Sequence, residues 1–129
     1  MNREKYEAGM AVRREVLGDE YVDRAISSAS DFTKPLQDIV TENCWGEIWT
    51  RGAIPKRTRS LITIAILAAI KAPAELKAHI VGALRNGCTV EEIQEVLLQS
   101  TVYCGVPSGV EAFRAAKDVI ENWQKGGNG

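Results

Sequence analysis

The chain holds one histidine, three scattered cysteines and only 6% aromatic residues, and each shortage closes off a class of function. A lone imidazole without any C-x-x-C pair cannot build a structural zinc site. Cys44, Cys88 and Cys104, an odd set, spell no disulfide framework. No metal ligand set is therefore expected, and each cysteine reads as a small buried hydrophobe in a reducing, cytoplasmic setting. Charge of one sign is missing too. With 16 basic and 17 acidic side chains the formal net charge is -1, which leaves no electrostatic footprint for nucleic acid or an anionic membrane. The longest apolar run, "LITIAILAAI" at 61–70, is about half the length that spans a bilayer. The charged opening "MNREKYEAGM" lacks the apolar core of a signal peptide. Strand-type alternation, internal repeats and low-complexity linkers are absent as well.

What remains is helical. The 129 residues suit one domain, expected over 1–125, with a frayed "GGNG" tail at 126–129. Asn2 can cap a first helix that turns Tyr6, Met10 and Val16 inward and stops at Gly18. "DEYVDRAISSA" makes a short second helix. From about 33 to 45, Leu36, Ile39, Val40 and Cys44 recur at the spacing of one helical face, with Pro35 in the first turn. "WGEIWTRGAIP" at 45–55 has two glycines and a proline and is expected as an irregular connection. "KRTRSLITIAILAAIKA" is apolar nearly all round and is expected at the centre. Pro73 opens the next helix and Gly87 closes it. "TVEE" at 89–92 is a capping box that starts a helix to about Cys104. After a break over "GVPS", a last helix carries Val110, Phe113, Val119, Ile120 and Trp123. The fold class is all-α, a bundle of about six to seven helices. A helix-turn-helix reader is excluded, because "SGVEAFRAAKDVIENW" is charge-balanced and offers few donors for base edges.

Three places can hold chemistry. Glu75 and His79 stand four residues apart on one helix face, with Gly82 clearing space one turn beyond the ring. A histidine beside such a gap, oriented by a carboxylate, can donate a proton or hydrogen bond to a docked molecule. The plainer alternative is a solvated Glu–His pair. Trp45 and Trp49 flank Glu47, and Arg51, Arg57 and Arg59 follow. Aromatic walls would desolvate that carboxylate and suit it to acid catalysis, while the guanidinium groups would grip a carboxylated small molecule. The alternative there is an amphipathic rim with arginines lying over a core helix. Third, "TVYCGVPSGV" at 101–110 offers the Tyr103 hydroxyl beside a tight turn.

The stretches "YEAGMAVRREVLGDEYVDR", "WGEIWTR", "RTRSLITIAIL", "ELKAHIVGALRNG", "EEIQEVLLQ" and "YCGVP" together resemble the carboxymuconolactone decarboxylase family. They follow that family's order from about Tyr6 to Ile120. The resemblance implies the all-helical fold of the alkylhydroperoxidase reductases and a homo-oligomer, a trimer or hexamer. Those reductases use a C-x-x-C thiol pair followed four residues later by histidine. His79 takes the histidine position, Ala72 and Glu75 take the cysteine positions, and Ser60 stands where the reductases carry glutamate. Without either thiol the dithiol redox cycle is closed to this chain, which points to the decarboxylase branch.

The reaction the resemblance implies is loss of carbon dioxide from 4-carboxymuconolactone to give β-ketoadipate enol-lactone in protocatechuate catabolism, with no cofactor. In that reading His79 donates to the enolate, Glu75 orients it and Glu47 is an alternative proton donor. Arg51, Arg57 or Arg59 grips the substrate's acetate arm, and Trp45, Trp49 and Tyr103 wall the pocket. The expected partners are a carboxylated lactone and further copies of the chain. Two stretches depart from the family pattern: Val110 stands where asparagine is expected, and "TRGAIPKR" replaces "TRPGLDRR". The alternatives are a related lyase acting on another lactone or keto acid, and a non-catalytic oligomeric binding protein.

Overall fold

The computed structural model describes residues 1–126; of the tail expected at 126–129, positions 127–129 lie outside the described residues. Among the described residues the chain is all-α, with no strand. Within the stretch expected as one domain, two compact units are distinct, Met1–Pro55 and Lys56 onward.

The first unit holds α1 (Arg3–Leu17), α2 (Asp19–Ser27) and α3 (Lys34–Ile39). Asn2 Oδ1 accepts from the Lys5 amide, satisfying an amide that the first turn leaves without a helical acceptor. Gly18, at φ +92°, separates α1 from α2. α3 does not stop at Ile39; it runs on as a π-helix, Val40–Ile48. The wider π turn changes which residues face inward. The expected face of Leu36, Ile39, Val40 and Cys44 is not the buried one, since Leu36 and Ile39 are 60% and 58% exposed. Thr41, Trp45, Gly46 and Trp49 are buried instead, a four-to-five-residue repeat that follows the π geometry and not the α period.

Two glycines let α1 and this π-helix touch backbone to backbone. A Cβ on Gly9 would lie 2.0 Å from the Thr41 carbonyl oxygen, and one on Gly46 would lie 2.3 Å from that of Lys5. This approach buries Arg13, which donates to Gln37 Oε1 at 2.9 Å and Thr41 Oγ1 at 3.2 Å. Loss of solvent around the guanidinium lowers its pKa from the ordinary arginine value.

The second unit holds α4 (Lys56–Ala69), α5 (Pro73–Arg85), α6 (Val90–Cys104) and α7 (Val106–Gln124). Its core gathers Ile64, Leu76, Ile80, Ile93 and Leu97 with a set of alanines from α4 and α7. Burying each of the larger side chains stabilises the fold by about 1.5–3 kcal/mol. α4 is not buried all round. Ser60, Ile64 and Ala68, one turn apart, face the core, while Ile62 and Ile66 stay 47% and 53% exposed. The capping box at Thr89 and Glu92 forms as read, each side chain bonding the other's backbone amide. Gly105, at φ +108°, turns the chain straight into α7, with Pro107 in its first turn; "GVPS" therefore starts a helix. A Cβ on Gly109 would meet the Thr101 side chain at 2.1 Å, so glycine lets α6 and α7 close there. Of the cysteines only Cys88 is buried.

Candidate active site

α5 sets the environment of the histidine. Leu76, Ile80, Ala83 and Leu84 form its buried stripe, and His79 lies beside that stripe on the adjoining face. The imidazole is largely enclosed, and its Nδ1 is sealed from solvent. Burial pushes its pKa down from 6.5 to about 4, because a charged ring would lose its hydration there. At neutral pH the ring is therefore uncharged, with one N–H donor and one acceptor nitrogen. Glu75 sits in the first turn of α5, where a carboxylate favours the helix dipole, but it is exposed. Helical register places the two on neighbouring lines, and tertiary packing encloses the ring alone.

The tryptophan-rich stretch lies in the first unit and departs from its expected geometry. Trp45 on the π-helix and Trp49 directly after its end are one turn apart, buried, and in contact at 4.8 Å between ring centroids with planes tilted by 31°. Glu47, two residues from each, points the other way; its carboxylate meets Lys5 Nζ at 3.0 Å and is half exposed. The two indoles thus wall each other and not Glu47, and the desolvated acid expected there is not formed. Arg51 follows on the exposed segment after the π-helix.

The remaining arginines divide. Arg57 donates to Glu92 Oε1 at 2.5 Å, and the same oxygen accepts from the Thr89 amide at 2.9 Å. This pair ties the start of α4 to the start of α6. The Arg57 guanidinium, then the Thr89 amide, holds the Glu92 carboxyl below its ordinary value. Arg57 thus already has an anion within its own unit. Arg59, half-buried on α4, keeps its Nε sealed from solvent. Tyr103 is 83% exposed and lines a groove of about 490 Å³ between α4 and α6. Val110 lines another, of about 600 Å³, along α6 and α7. Neither groove is lined by His79 or Glu75.

Two polar contacts were not read from the sequence, which placed Ser60 only by resemblance and assigned Arg13 no role. Ser60, fully buried, accepts from Asn86 Nδ2 at 2.9 Å and so joins α4 to the end of α5. Arg13 is the other; its one signal in the sequence is its place at helical spacing between Gly9 and Val16. Among the described residues no group of three or more His, Cys, Asp or Glu is arranged to hold a metal ion, and no helix is long and apolar enough to cross a membrane.

Comparison with known proteins agrees with this frame. Residues 34–118, which run through both units, match the carboxymuconolactone decarboxylase family. The chain is 40% identical over 122 residues to a nitrosuccinic acid decarboxylase of Metarhizium robertsii, covering 95% of this chain and 85% of that protein. It is 36% identical over 121 residues to a 4-carboxymuconolactone decarboxylase of Acinetobacter baylyi, covering 94% of this chain and 90% of the relative. A 4-carboxymuconolactone decarboxylase of Pseudomonas putida matches at 42% over 45 residues, 35% of this chain and 94% of that sequence. An all-helical chain with full-length relatives of this kind is a carboxy-lyase. More particularly, it belongs to the carboxymuconolactone decarboxylase family.

Proposed function

We propose that the chain decarboxylates 4-carboxymuconolactone to β-ketoadipate enol-lactone, without a cofactor, as a homo-oligomer in the cytoplasm. The observation that carries this reading is the enclosed, uncharged His79 in a chain that aligns over 94% of its length with a decarboxylase of that substrate. The chemistry suits such a ring. The departing carboxylate stands on a ring carbon conjugated through a double bond to the lactone carbonyl. The C–C bond breaks, its electron pair runs onto the carbonyl oxygen, and carbon dioxide leaves. The resulting enolate takes one proton at the ring α-carbon. The electron sink belongs to the substrate.

The net reaction consumes one proton, and His79 is suited to carry it. A dianionic substrate docked beside the ring favours the imidazolium, so binding draws a proton from solvent onto His79. Recovering the neutral range from about 4 takes roughly 4 kcal/mol, within what two nearby carboxylates supply. After carbon dioxide departs, the ring steadies the enolate oxygen, gives its proton to carbon and returns to the neutral state its surroundings favour. Arg51, Arg57 or Arg59 holds the acetate arm, and Glu75, exposed in the first turn of α5, is the carboxylate that would orient the ring once substrate is bound.

One observation favours a second reading. The Metarhizium relative is named for nitrosuccinic acid, and it aligns over 95% of this chain. Nitrosuccinate is also a dicarboxylate whose lost carboxylate sits beside an electron sink, there a nitro group that accepts the pair on oxygen. The same histidine chemistry serves it. Purified protein given each acid in turn, with carbon dioxide release and substrate absorbance followed, separates the readings. Turnover of the lactone supports the first and turnover of nitrosuccinate alone the second. Turnover of neither defeats both.

A further inference from the structure

α5 carries a polar line that the core does not use. Glu75, His79, Gly82 and Asn86 stand at i, i+4, i+7 and i+11, which puts them on one narrow strip of the helix surface. The apolar stripe of Leu76, Ile80, Ala83 and Leu84 runs beside it. Enclosure deepens along the line: Glu75 is exposed, the imidazole is largely enclosed and Gly82 is buried. At its far end Asn86, half-buried, donates through Nδ2 to the fully buried Ser60 Oγ at 2.9 Å. Nothing local requires that contact. The end of α5 is capped by backbone, the Asn86 amide donating to the Gly82 carbonyl while Gly87 supplies the positive φ. Ser60 holds a core position of α4 that an alanine fills two turns on, at Ala68. The hydroxyls of Thr63, Ser100 and Thr101 give their protons to the carbonyl one turn back. Ser60 does not; its hydroxyl is turned to Asn86. A buried hydroxyl and carboxamide with donors left over cost stability, so their retention asks for a role.

We infer that Asn86, oriented by Ser60, is a substrate-binding residue of the site whose reacting end is His79, and that it selects for dicarboxylates. This rests on the decarboxylase reading above and adds the contact at the far end of the substrate. Seven residues of helix put the Asn86 Cα about 10 Å along the axis from that of His79. Helical Cβ atoms lean toward the N-terminus, so the carboxamide leans back over Gly82 toward the ring, and glycine keeps the strip between them free of a side chain. A small dicarboxylate laid along the line has its departing carboxylate at the imidazole and its retained one at the carboxamide. Ser60 holds one Nδ2 hydrogen; the other is left to donate to the retained carboxylate, and the Ser60 hydroxyl proton stands beside it. These are neutral donors fixed before substrate arrives, which complement the charge an arginine brings. Both acids considered above qualify, since each keeps one carboxylate when the other leaves as carbon dioxide.

The test measures kcat and KM for the wild type, Asn86→Ala and Asn86→Asp on whichever acid the wild type decarboxylates, with circular dichroism to confirm folding. Asn86→Ala loses the donor and should raise KM about tenfold while kcat stays within about threefold. Asn86→Asp should raise KM further, by about a hundredfold, because its carboxylate repels that of the substrate. A contact that only ties α4 to α5 gives the opposite order, since aspartate still accepts from the Ser60 hydroxyl and alanine cannot. That order, or a wild-type KM in the aspartate variant, overturns the assignment and leaves the decarboxylase reading standing. If Asn86→Ala does not fold, the near-isosteric aspartate variant decides alone: a raised KM supports the contact and an unchanged one overturns it. A wild type that turns over neither acid overturns both.

Discussion

Lowering the pH should cost this protein stability through His79, by an amount its environment sets. In the unfolded chain the imidazole binds a proton near 6.5; in the folded chain burial holds it to about 4. Between those values the unfolded state binds more protons than the native state, so stability falls as the pH falls and the loss is complete below about 4. At pH 4.5 the loss from this one ring is about 2.5 kcal/mol relative to neutral pH, at about 1.36 kcal/mol for each pH unit of difference. That is a large share of the roughly 5–15 kcal/mol that holds a domain together. Urea unfolding of wild type and His79→Gln at pH 7 and 4.5 isolates it, because carboxylate contributions common to both cancel in the difference. The wild type should lose about 2.5 kcal/mol more than the variant. As the chain has one histidine, its imidazole Hε1 gives a single proton resonance whose midpoint reads the ring directly. The free protein should titrate near 4 and move upward when a dicarboxylate binds. A midpoint near 6.5 in the free protein, or equal losses in the two proteins, would refute an enclosed ring and with it the proton-carrying role.

Other outcomes follow from the same geometry. His79→Gln should slow the chemical step about a hundredfold or more while leaving the fold intact at pH 7; wild-type turnover on the preferred acid would dismiss the assignment. Arg51→Lys should chiefly raise KM, since an ammonium cannot make the paired hydrogen bonds of a guanidinium; an unchanged KM takes Arg51 out of the site. Gly9→Ala would force a methyl group to 2.0 Å from the Thr41 carbonyl oxygen. It should cost about 3 kcal/mol, or roughly 10 °C in Tm, and a melting curve matching wild type would show that α1 and the π-helix can part cheaply.

Local signals were the reliable part of the sequence. The Asn2 cap, Pro73, the Thr89–Glu92 box and the glycines at 18 and 105 act within a few residues of themselves, and the helices begin and end where they stand. Apolar spacing failed where it assumed the α period. Leu36 and Ile39 face outward because the segment continues into a π-helix whose registry is set by backbone contact at Gly9 and Gly46. α4 looked central because its composition is apolar on all sides, yet it buries one side only.

By itself the sequence determined an all-helical chain, its turns, and the placing of one histidine a turn beyond an acid, since hydrogen-bonding periodicity and capping are short-range. Only the tertiary structure decided that the ring is enclosed while the acid is exposed. It also decided that the indoles contact each other while Glu47 faces Lys5, and that Arg57 meets Glu92. Those outcomes depend on desolvation and on partners up to 42 residues away in the chain, and no local pattern encodes either.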